Sequence, residues 1–324
     1  FISKTVGTGN IDTWSAGPAL PEARSDAASV VSDGKLYVIG GYGPDGEPTT
    51  TVFSLAVDND GAVGDWVPEE ALALPEPRAG ASAVTVSDGL VLLGGTDGTA
   101  APRSVWKSMT SDAGALQAWV PQTPLLEENV SGIAAHIGDI IFVSGGRNKD
   151  GAVVATVQQG LVGGESASPE DPNAITALWR ASEQTNLPFP RANMSGFTAN
   201  GVLYVQGGTD GTSPRSETLW AIPDADGIIT AWNSLAPIDL GEGLEGSSAV
   251  VAGSHAFLFG GTTAAGPTAG VARTNLAPQE PFFQLGVLGA TLPALQLQGE
   301  VGQQIGYLNA AGVGTVNFII LILI

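Results

Sequence analysis

The 324-residue sequence contains no cysteine and only two histidines, His136 and His255. The lack of cysteine excludes disulfides, thiolate nucleophiles, iron–sulfur clusters and cysteine-ligated zinc. Basic residues are also scarce, because 12 Lys and Arg stand against 32 Asp and Glu, which gives a net charge of −20. Nucleic-acid binding requires a surface rich in Lys and Arg, so we do not expect this class of function.

Catalytic signatures are missing as well. The sequence has no Gly-x-Ser-x-Gly elbow, no phosphate-binding loop and no His-Glu-x-x-His motif. We therefore predict no catalytic residue, no metal site and no cofactor, and we predict that the protein is not an enzyme. A carbohydrate-active enzyme that works with two carboxylates stays open, because 32 acidic residues cannot be sorted by sequence alone.

Glycine and proline are abundant, and the glycines form a repeat. A short apolar run followed by a glycine pair occurs five times, at intervals of 51 to 62 residues. The pairs are Gly40-Gly41, Gly94-Gly95, Gly145-Gly146, Gly207-Gly208 and Gly260-Gly261. A tryptophan follows four of the pairs, at Trp66, Trp119, Trp179 and Trp232, and Trp14 precedes the first. Each unit has the turn signals of four short strands, and such units repeated around an axis make a β-propeller.

These units resemble the kelch repeat family, in which an apolar run, a glycine pair and an aromatic-bearing strand recur about every fifty residues. The resemblance covers about residues 10–285 and implies an all-β propeller of five or six four-stranded blades, placed here in residues 1–285. The count stays open, because the hairpin over residues 2–14 could belong to a sixth blade. We expect the ring to close end to end, since an open ring would expose two sheet edges.

The C-terminal segment is uncharged and mostly apolar over residues 305–324. Twenty helical residues span about 30 Å, so the segment predicts a transmembrane helix in a lipid bilayer, after a linker over residues 286–304 and with the chain continuing beyond. The alternatives are a buried C-terminal strand and an oligomerisation segment. Small residues recur at every fourth position, which predicts a face for docking another helix. They are Gly302, Gly306, Ala310 and Gly314.

Sixteen residues before the first four glycine pairs lie Arg24, Arg78, Asn129 and Arg191. The resemblance to kelch propellers implies that these positions surround one mouth of the central channel, where arginines could bind a carboxylate or phosphate. The alternative is that each arginine ties its blade to a neighbour through backbone carbonyls or nearby acids.

Two nearly identical loops follow the second and fourth glycine pairs. They contain Asp97 and Arg103 in one copy, and Asp210 and Arg215 in the other. Such loops leave the sheet at one face and are candidates for contact with a partner. The alternative is a turn in which the aspartate caps backbone groups.

From these features we predict a non-enzymatic, single-pass membrane-anchored propeller on the periplasmic or extracellular side. It would act as a scaffold or accessory subunit beside other subunits of a membrane protein complex. One alternative is a sugar-binding or carbohydrate-processing propeller with an arginine-lined mouth. Another is a surface-layer or filament subunit.

Overall fold

The computed structural model describes residues 2–6, 10–58, 62–162, 179–224, 226–234, 242–252, 255–276 and 318–320. Within these residues the protein is all-β, apart from one 3-10 turn at Glu70–Leu72. Five antiparallel sheets each carry one glycine pair, and we number them as blades I to V. The predicted all-β propeller is confirmed, and five blades carry the repeat.

The strands are numbered in chain order. The first two are β1 (Ile2–Val6) and β2 (Asn10–Ile11). Blade I consists of β3 (Ala28–Ser32), β4 (Lys35–Ile39), β5 (Val52–Val57) and β6 (Val63–Pro68). Blade II consists of β7 (Ser82–Val86), β8 (Gly89–Leu93), β9 (Val105–Met109) and β10 (Val120–Pro121).

Blade III consists of β11 (Ile133–Ile137), β12 (Ile140–Ser144), β13 (Val157–Leu161) and β14 (Arg180–Ala181). Blade IV consists of β15 (Ser195–Ala199), β16 (Val202–Gln206), β17 (Thr218–Ala221) and β18 (Asn233–Ser234). Blade V contains β19 (Ser248–Ala252) and β20 (His255–Phe259), the short hairpin β21 (Thr262–Thr263) and β22 (Gly266–Pro267), and β23 (Val271–Asn275). The last strand is β24 (Phe318–Ile320).

Blades I to IV are meanders in which consecutive strands pair antiparallel, and in blade V β20 pairs antiparallel with β19 and β23. The inner strands β3, β7, β11, β15 and β19 lie against one another in that order, so the blades follow each other around the axis. The second strand of a blade is covered on both faces, and all five residues of β8 and of β16 are buried. This position explains why the residues before each glycine pair are a continuous apolar run rather than an alternating one.

Apolar layers fill the spaces between neighbouring blades, and a tryptophan from the outer edge of one blade completes each layer. Trp119 packs with residues of blades I and II, and Trp179 with residues of blades II and III. Each ring nitrogen then donates to the backbone just after the outer strand of the preceding blade. The acceptors are Leu72 O for Trp119 (2.7 Å), Thr123 O for Trp179 (2.9 Å) and Thr185 O for Trp232 (3.0 Å).

The glycine pairs join the blades through their backbone. The second glycine of each of the first four pairs donates its N–H to a carbonyl in the linker that enters the next blade. The bonds are Gly41 to Arg78 (2.7 Å), Gly95 to Asn129 (2.8 Å), Gly146 to Arg191 (2.7 Å) and Gly208 to Leu244 (2.8 Å). The first glycine has φ near +60°, and a Cβ on Gly94 would overlap the carbonyl oxygen of Asn129. Glycine is therefore required here for its backbone angle and for the close approach of two chains.

A second set of backbone bonds runs around one mouth of the central channel. One residue of each linker has a positive φ, between 50° and 64°, and the set comprises Asp26, Gly80, Ser131, Asn193 and Gly246. Each of the last four donates its N–H to the carbonyl of the one before it, at 2.8 Å in every case. The five linkers are thus joined in a row at the axis.

The C-terminal segment differs from the predicted helix where it is described. Phe318–Ile320 form β24, which pairs antiparallel with β1 in the sheet β2–β1–β24. These three residues are therefore part of a strand and not of the predicted helix. A run of Ile and Leu is apolar enough for a helix, but the β-branched residues also favour a strand. In the described part of the chain no helix is long and apolar enough to cross a membrane. The linker over residues 286–304 and the predicted docking residues Gly302, Gly306, Ala310 and Gly314 lie outside the described residues.

We predict that Gly94→Ala lowers the free energy of unfolding by about 3 kcal/mol, because the added methyl group both strains the backbone and pushes against blade III. Gly114→Ala is the matched control in the same blade, since Gly114 has φ +80° and no atom within 4 Å of an added Cβ. It should cost about 1 kcal/mol. Urea denaturation measures both, and equal losses would contradict the close contact between blades.

Candidate interaction surface on the Gly-Gly face

One face of the propeller carries most of the polar residues singled out in the sequence. We call it the Gly-Gly face, because the second strand of every blade ends there in its glycine pair. The same face carries the loops between the second and third strands and the linkers that enter the blades. Arg24, Arg78, Asn129 and Arg191 all lie on these linkers.

The arginines of blades I and II are buried, with 6% and 1% of the residue exposed. Arg78 donates to Pro77 O (2.7 Å), to Glu76 Oε2 (2.7 Å) and to Ser104 Oγ (2.8 Å), and its guanidinium lies 4.5 Å from the Trp106 ring centroid. Arg24 repeats this arrangement with Ala23 O, Glu22, Thr51 and the ring of Phe53. Each arginine therefore fastens a linker to the start of the third strand in its own blade.

Blade III keeps the same tie without an arginine. The side-chain nitrogen of Asn129 donates to Gly145 O at 2.5 Å. Glu127 takes the place of Glu22 and Glu76 and accepts directly from Thr156 Oγ1 at 2.9 Å. A linker carboxylate and a hydroxyl at the start of the third strand thus occur in all three blades.

Blade IV reverses this pattern. Its linker has Phe189 where the other four blades have glutamate, and its third strand is preceded by Glu217 where blades I to III have Thr or Ser. Arg191, whose side chain is fully buried, donates to Gly207 O (2.9 Å) and to Glu217 Oε2 (3.1 Å). Burial lowers the pKa of Arg191, and the charge of Glu217 opposes that shift. In blade IV the carboxylate that bonds to the buried arginine therefore comes from the residue before the third strand and not from the linker.

Phe189, at the linker position of these glutamates, lies on the surface, where 51% of the residue is exposed. Arg215 lies over its ring, with the guanidinium carbon 5.4 Å from the centroid. Arg215 is itself held by Glu217 Oε1 (2.9 Å) and Asp210 Oδ2 (3.3 Å). Burial tends to raise the pKa of Glu217, but its own backbone N–H, Arg191 and Arg215 hold that pKa below its usual value.

The linker under Phe189 is fixed on both sides. The backbone N–H of Leu187 donates to Ala155 O (2.9 Å), and that of Arg191 donates to Val154 O (3.1 Å). An exposed aromatic ring is thus held on a rigid backbone beside a fixed arginine. We call Phe189, Arg215 and Asp210 the Phe189 surface.

The two duplicated loops contain turns with aspartate caps. Asp97 Oδ1 accepts from the backbone N–H groups of Thr99 (2.8 Å) and Ala100 (2.7 Å), and these bonds lower the pKa of Asp97. Asp210 makes the same pair of bonds in blade IV, and they lower its pKa in the same way. Arg103 donates to Leu126 O (2.9 Å) instead of stacking on a ring. Contact of these four residues with a partner stays a prediction.

The channel mouth is a cavity of about 470 Å³. Most of its lining residues follow the arginine positions along the chain, among them Asp26, Ser131, Asn193 and Glu245. Among the described residues, the cavity lining includes none of Arg24, Arg78, Asn129 and Arg191. Their guanidinium and amide groups face the interior of their blades. Ligand binding by these four residues stays a prediction, and their burial does not support it. The described residues contain no group of three or more His, Asp or Glu that could hold a metal ion.

Phe189 was not singled out in the sequence, although the signal was present. The phrase Leu-Pro-Glu-x-Arg occurs at Leu20–Arg24 and Leu74–Arg78, and blade IV reads Leu-Pro-Phe-Pro-Arg instead. A glutamate appears 26 residues after Arg191, at the position of Ser104 relative to Arg78. Comparing the units position by position would have paired these two exceptions.

We predict that Glu217→Ala lowers the free energy of unfolding by about 2 kcal/mol, because it leaves the charge of Arg191 buried without a carboxylate. Adding Phe189→Glu to that variant should restore at least half of the loss, since it recreates the pairing of blades I and II. Glu76→Ala is the control and should cost about 1 kcal/mol or less, because that side chain is 60% exposed. If a double-mutant cycle shows no coupling between positions 189 and 217, a carboxylate at one position does not replace a carboxylate at the other, and the interpretation is contradicted.

The comparisons with known proteins agree with the fold. Residues 23–56, which include blade I, match the Kelch motif family. A search of curated proteins finds no match. Among solved structures, the chain is similar to one titled "Structure of YjhT", with a TM-score of 0.64 and 16% identity. That similarity covers 82% of this chain and 88% of the other. The predicted kelch-type propeller is confirmed.

Proposed function

Because this chain is a β-propeller with a kelch motif, we propose that it acts as a protein-interaction scaffold that binds its partner through the Phe189 surface. The observation that carries the proposal is the exposed Phe189 ring with Arg215 stacked on it, at a position where the four other blades place a glutamate. Kelch-type propellers commonly serve as interaction scaffolds, and this surface is where the repeat departs from itself.

The composition of the surface supports a role in binding. Aromatic residues and arginine are enriched among the few residues that carry most of the binding energy in protein interfaces. Phe189 and Arg215 are already held in place, so these two side chains would lose little conformational entropy when a partner binds. Folding of blade IV does not require an exposed ring, since a glutamate serves in the same position elsewhere.

The charge of the chain favours a basic partner. The net charge is −20, and the loops of the Gly-Gly face carry Asp45, Glu47, Asp97 and Asp150. Such a field speeds the approach of a positively charged surface and disfavours an acidic one. We therefore expect a protein that places an apolar side chain on Phe189 and basic residues around it.

A sugar-binding or carbohydrate-processing role with an arginine-lined mouth is less favoured. Arg24, Arg78 and Arg191 have buried side chains, and each donates hydrogen bonds within its own blade. A glycan would have to displace these bonds before it could accept from the guanidinium groups. The proposal is accordingly non-enzymatic.

Membrane anchoring through residues 305–324, an extracytoplasmic location and a place beside other subunits of a membrane complex stay predictions from the sequence. So does the alternative of a surface-layer or filament subunit. Their support is the uncharged, apolar composition of that segment. The strand at Phe318–Ile320 argues against a helix through those three residues.

We predict that Phe189→Glu weakens binding of the native partner at least tenfold, because the substitution removes the exposed ring. Thermal stability should not change, because the new carboxylate can pair with Arg191 as the linker glutamates do in blades I and II. The measurement is quantitative cross-linking and mass spectrometry of the protein recovered from its source. Ile222→Glu is the control: Ile222 is 41% exposed, and it follows β17 at the opposite face. Equal recovery of partners with Phe189→Glu, or equal losses with both variants, would contradict the proposed surface.

A further inference from the structure

Blade V lacks the arginine that ties the linker to the third strand in three of the other blades. Leu244 stands at the position of Arg78, and Gly270 stands at the position of Ser104, whose hydroxyl accepts from that arginine. The backbone supports this match, because Gly260 donates its N–H to Gly270 O (2.9 Å), as the first glycine of the pair in blade II does to Ser104 O. At these two positions blade V has neither the arginine nor its hydroxyl partner.

The aromatic ring under the arginine is replaced as well. Arg78 lies over Trp106, which pairs with the fourth residue of β8. The fourth residue of β20 is Leu258, and its partner in β23 is Ala272. Leu and Ala are smaller than Arg and Trp, so they fill less of this space. A cavity of about 180 Å³ lies here, with Leu244, Leu258 and Ala272 in its wall.

The other four blades place larger or polar side chains in the corresponding space. Arg24 and Arg78 occupy it in blades I and II, and Arg191 occupies it in blade IV, where all three are buried. In blade III the side-chain amide of Gln158 accepts from the N–H of Glu127 (3.0 Å) and donates to its carbonyl (3.1 Å). The cavity therefore comes from a local change in the repeat.

The linker glutamate of the tie is kept in blade V as Glu242. It stands two residues before Leu244, as Glu76 stands two residues before Arg78, and it lines the cavity. Glu76 Oε2 accepts from Arg78 at 2.7 Å. In the part of the chain that the structure describes, Glu242 forms no ion pair. The residue is exposed, so a ligand from solvent can reach its carboxylate.

Backbone acceptors of the tie are kept as well. In blade IV, Arg191 donates to the carbonyls of Gly207 (2.9 Å) and Glu217 (3.1 Å). Gly260 and Gly270 stand at the corresponding positions of blade V, and both line the cavity. A carbonyl oxygen has two lone pairs, so Gly270 O can accept a second hydrogen bond beside the one from Gly260.

We infer that this cavity, which we call the blade V slot, binds an arginine side chain of the partner protein. The guanidinium pairs with Glu242 and donates to the glycine carbonyls, while its methylene groups lie on Leu244 and Leu258. A lysine suits the slot less well, because its ammonium is a strongly hydrated point charge without the planar fork that matches a carboxylate. The net charge of −20 favours the approach of a cationic group.

The blade V slot adjoins the Phe189 surface. The backbone N–H of Leu244 donates to Arg215 O at 3.0 Å. Gly243 lies against Pro214, since a Cβ on this glycine would overlap the carbonyl of Pro214. A partner that covers Phe189 can therefore place a neighbouring arginine in the slot. That the arginine belongs to this partner rests on the proposed function, whereas the slot itself rests on the geometry of blade V.

The slot can be tested without the partner. The probe is N-acetyl-arginine amide, which carries the guanidinium and no charged ends. NMR of the full chain should show saturable shifts of the amides of Thr268, Gly270 and Ala272, with a Kd on the order of 1 mM. N-acetyl-citrulline amide has a similar shape without the charge and should bind at least tenfold more weakly. A lack of saturable shifts at these amides, or equal binding of the two compounds, would overturn the inference.

Glu242→Gln should weaken binding of N-acetyl-arginine amide at least fivefold, because it removes the charge and keeps the size of the side chain. Glu76→Gln is the matched control at the same position of blade II, where Arg78 occupies the space. It should leave binding of the probe unchanged. Native affinity in Glu242→Gln would contradict the role of the carboxylate.

Leu244→Arg supplies the missing guanidinium from the chain itself, at the position that Arg78 and Arg191 have in their blades. It should fold with a Tm no lower than that of the native chain and bind the probe at least tenfold more weakly, because its own side chain fills the slot. Leu244→Met keeps an apolar side chain of similar size and should bind the probe as the native chain does. A folded Leu244→Arg with native affinity for the probe would contradict the slot.

Recovery of the native partner separates this inference from the proposed function. We expect Leu244→Arg to lower recovery at least fivefold, as Phe189→Glu lowers it. If the probe binds but Phe189→Glu leaves recovery unchanged, the proposed function fails and the slot stands as a guanidinium site. If Phe189→Glu lowers recovery but the probe does not bind, this inference fails alone. A bound probe with unchanged recovery in Leu244→Arg would overturn the assignment of the arginine to the partner.

Discussion

A single backbone contact sets the spacing of the blades: the N–H of a left-handed glycine reaches a carbonyl in the linker of the next blade. No side chain fits between the two chains at this point, since a Cβ on the neighbouring glycine would overlap that carbonyl. Once blades stand this close, their second strands are covered on both faces and must be apolar. The tryptophans then fill the remaining space at the outer edge and bond to the preceding blade.

Because the glycine backbone, the second strands and the tryptophans set the spacing of the blades, the linker side chains can differ from one blade to the next. In blades I and II a linker glutamate satisfies the buried arginine, and in blade III a glutamate bonds to Thr156 directly. In blade IV the required carboxylate comes from Glu217, so the linker position no longer needs a charge. A phenylalanine occupies it and Arg215 covers part of its ring. The proposed interaction surface thus differs from the other blades without any change in the contacts that space them.

The sequence allowed the repeat, the apolar second strands and the arginine positions to be predicted, because each depends on local composition at a fixed period. It did not allow the direction of the arginine side chains to be predicted. Spacing places a residue on a linker, but the left-handed turn two positions later decides which residues line the channel. The segment ending in six Ile and Leu residues was ambiguous for a different reason. Hydrophobicity alone does not distinguish a lipid-facing helix from an apolar β-strand, and the backbone of Phe318–Ile320 pairs with β1 as a strand.

We expect the glycine contacts between blades to make blades I to V one cooperative structure. Native-state hydrogen exchange of the amides of Gly41, Gly95, Gly146 and Gly208 tests it most directly, since each donates to the next blade. We expect all four to exchange only through global unfolding, with the same free energy of opening as that measured by denaturant. Opening of one of these amides at a much lower free energy, while the adjacent blades stay protected, would contradict the claim.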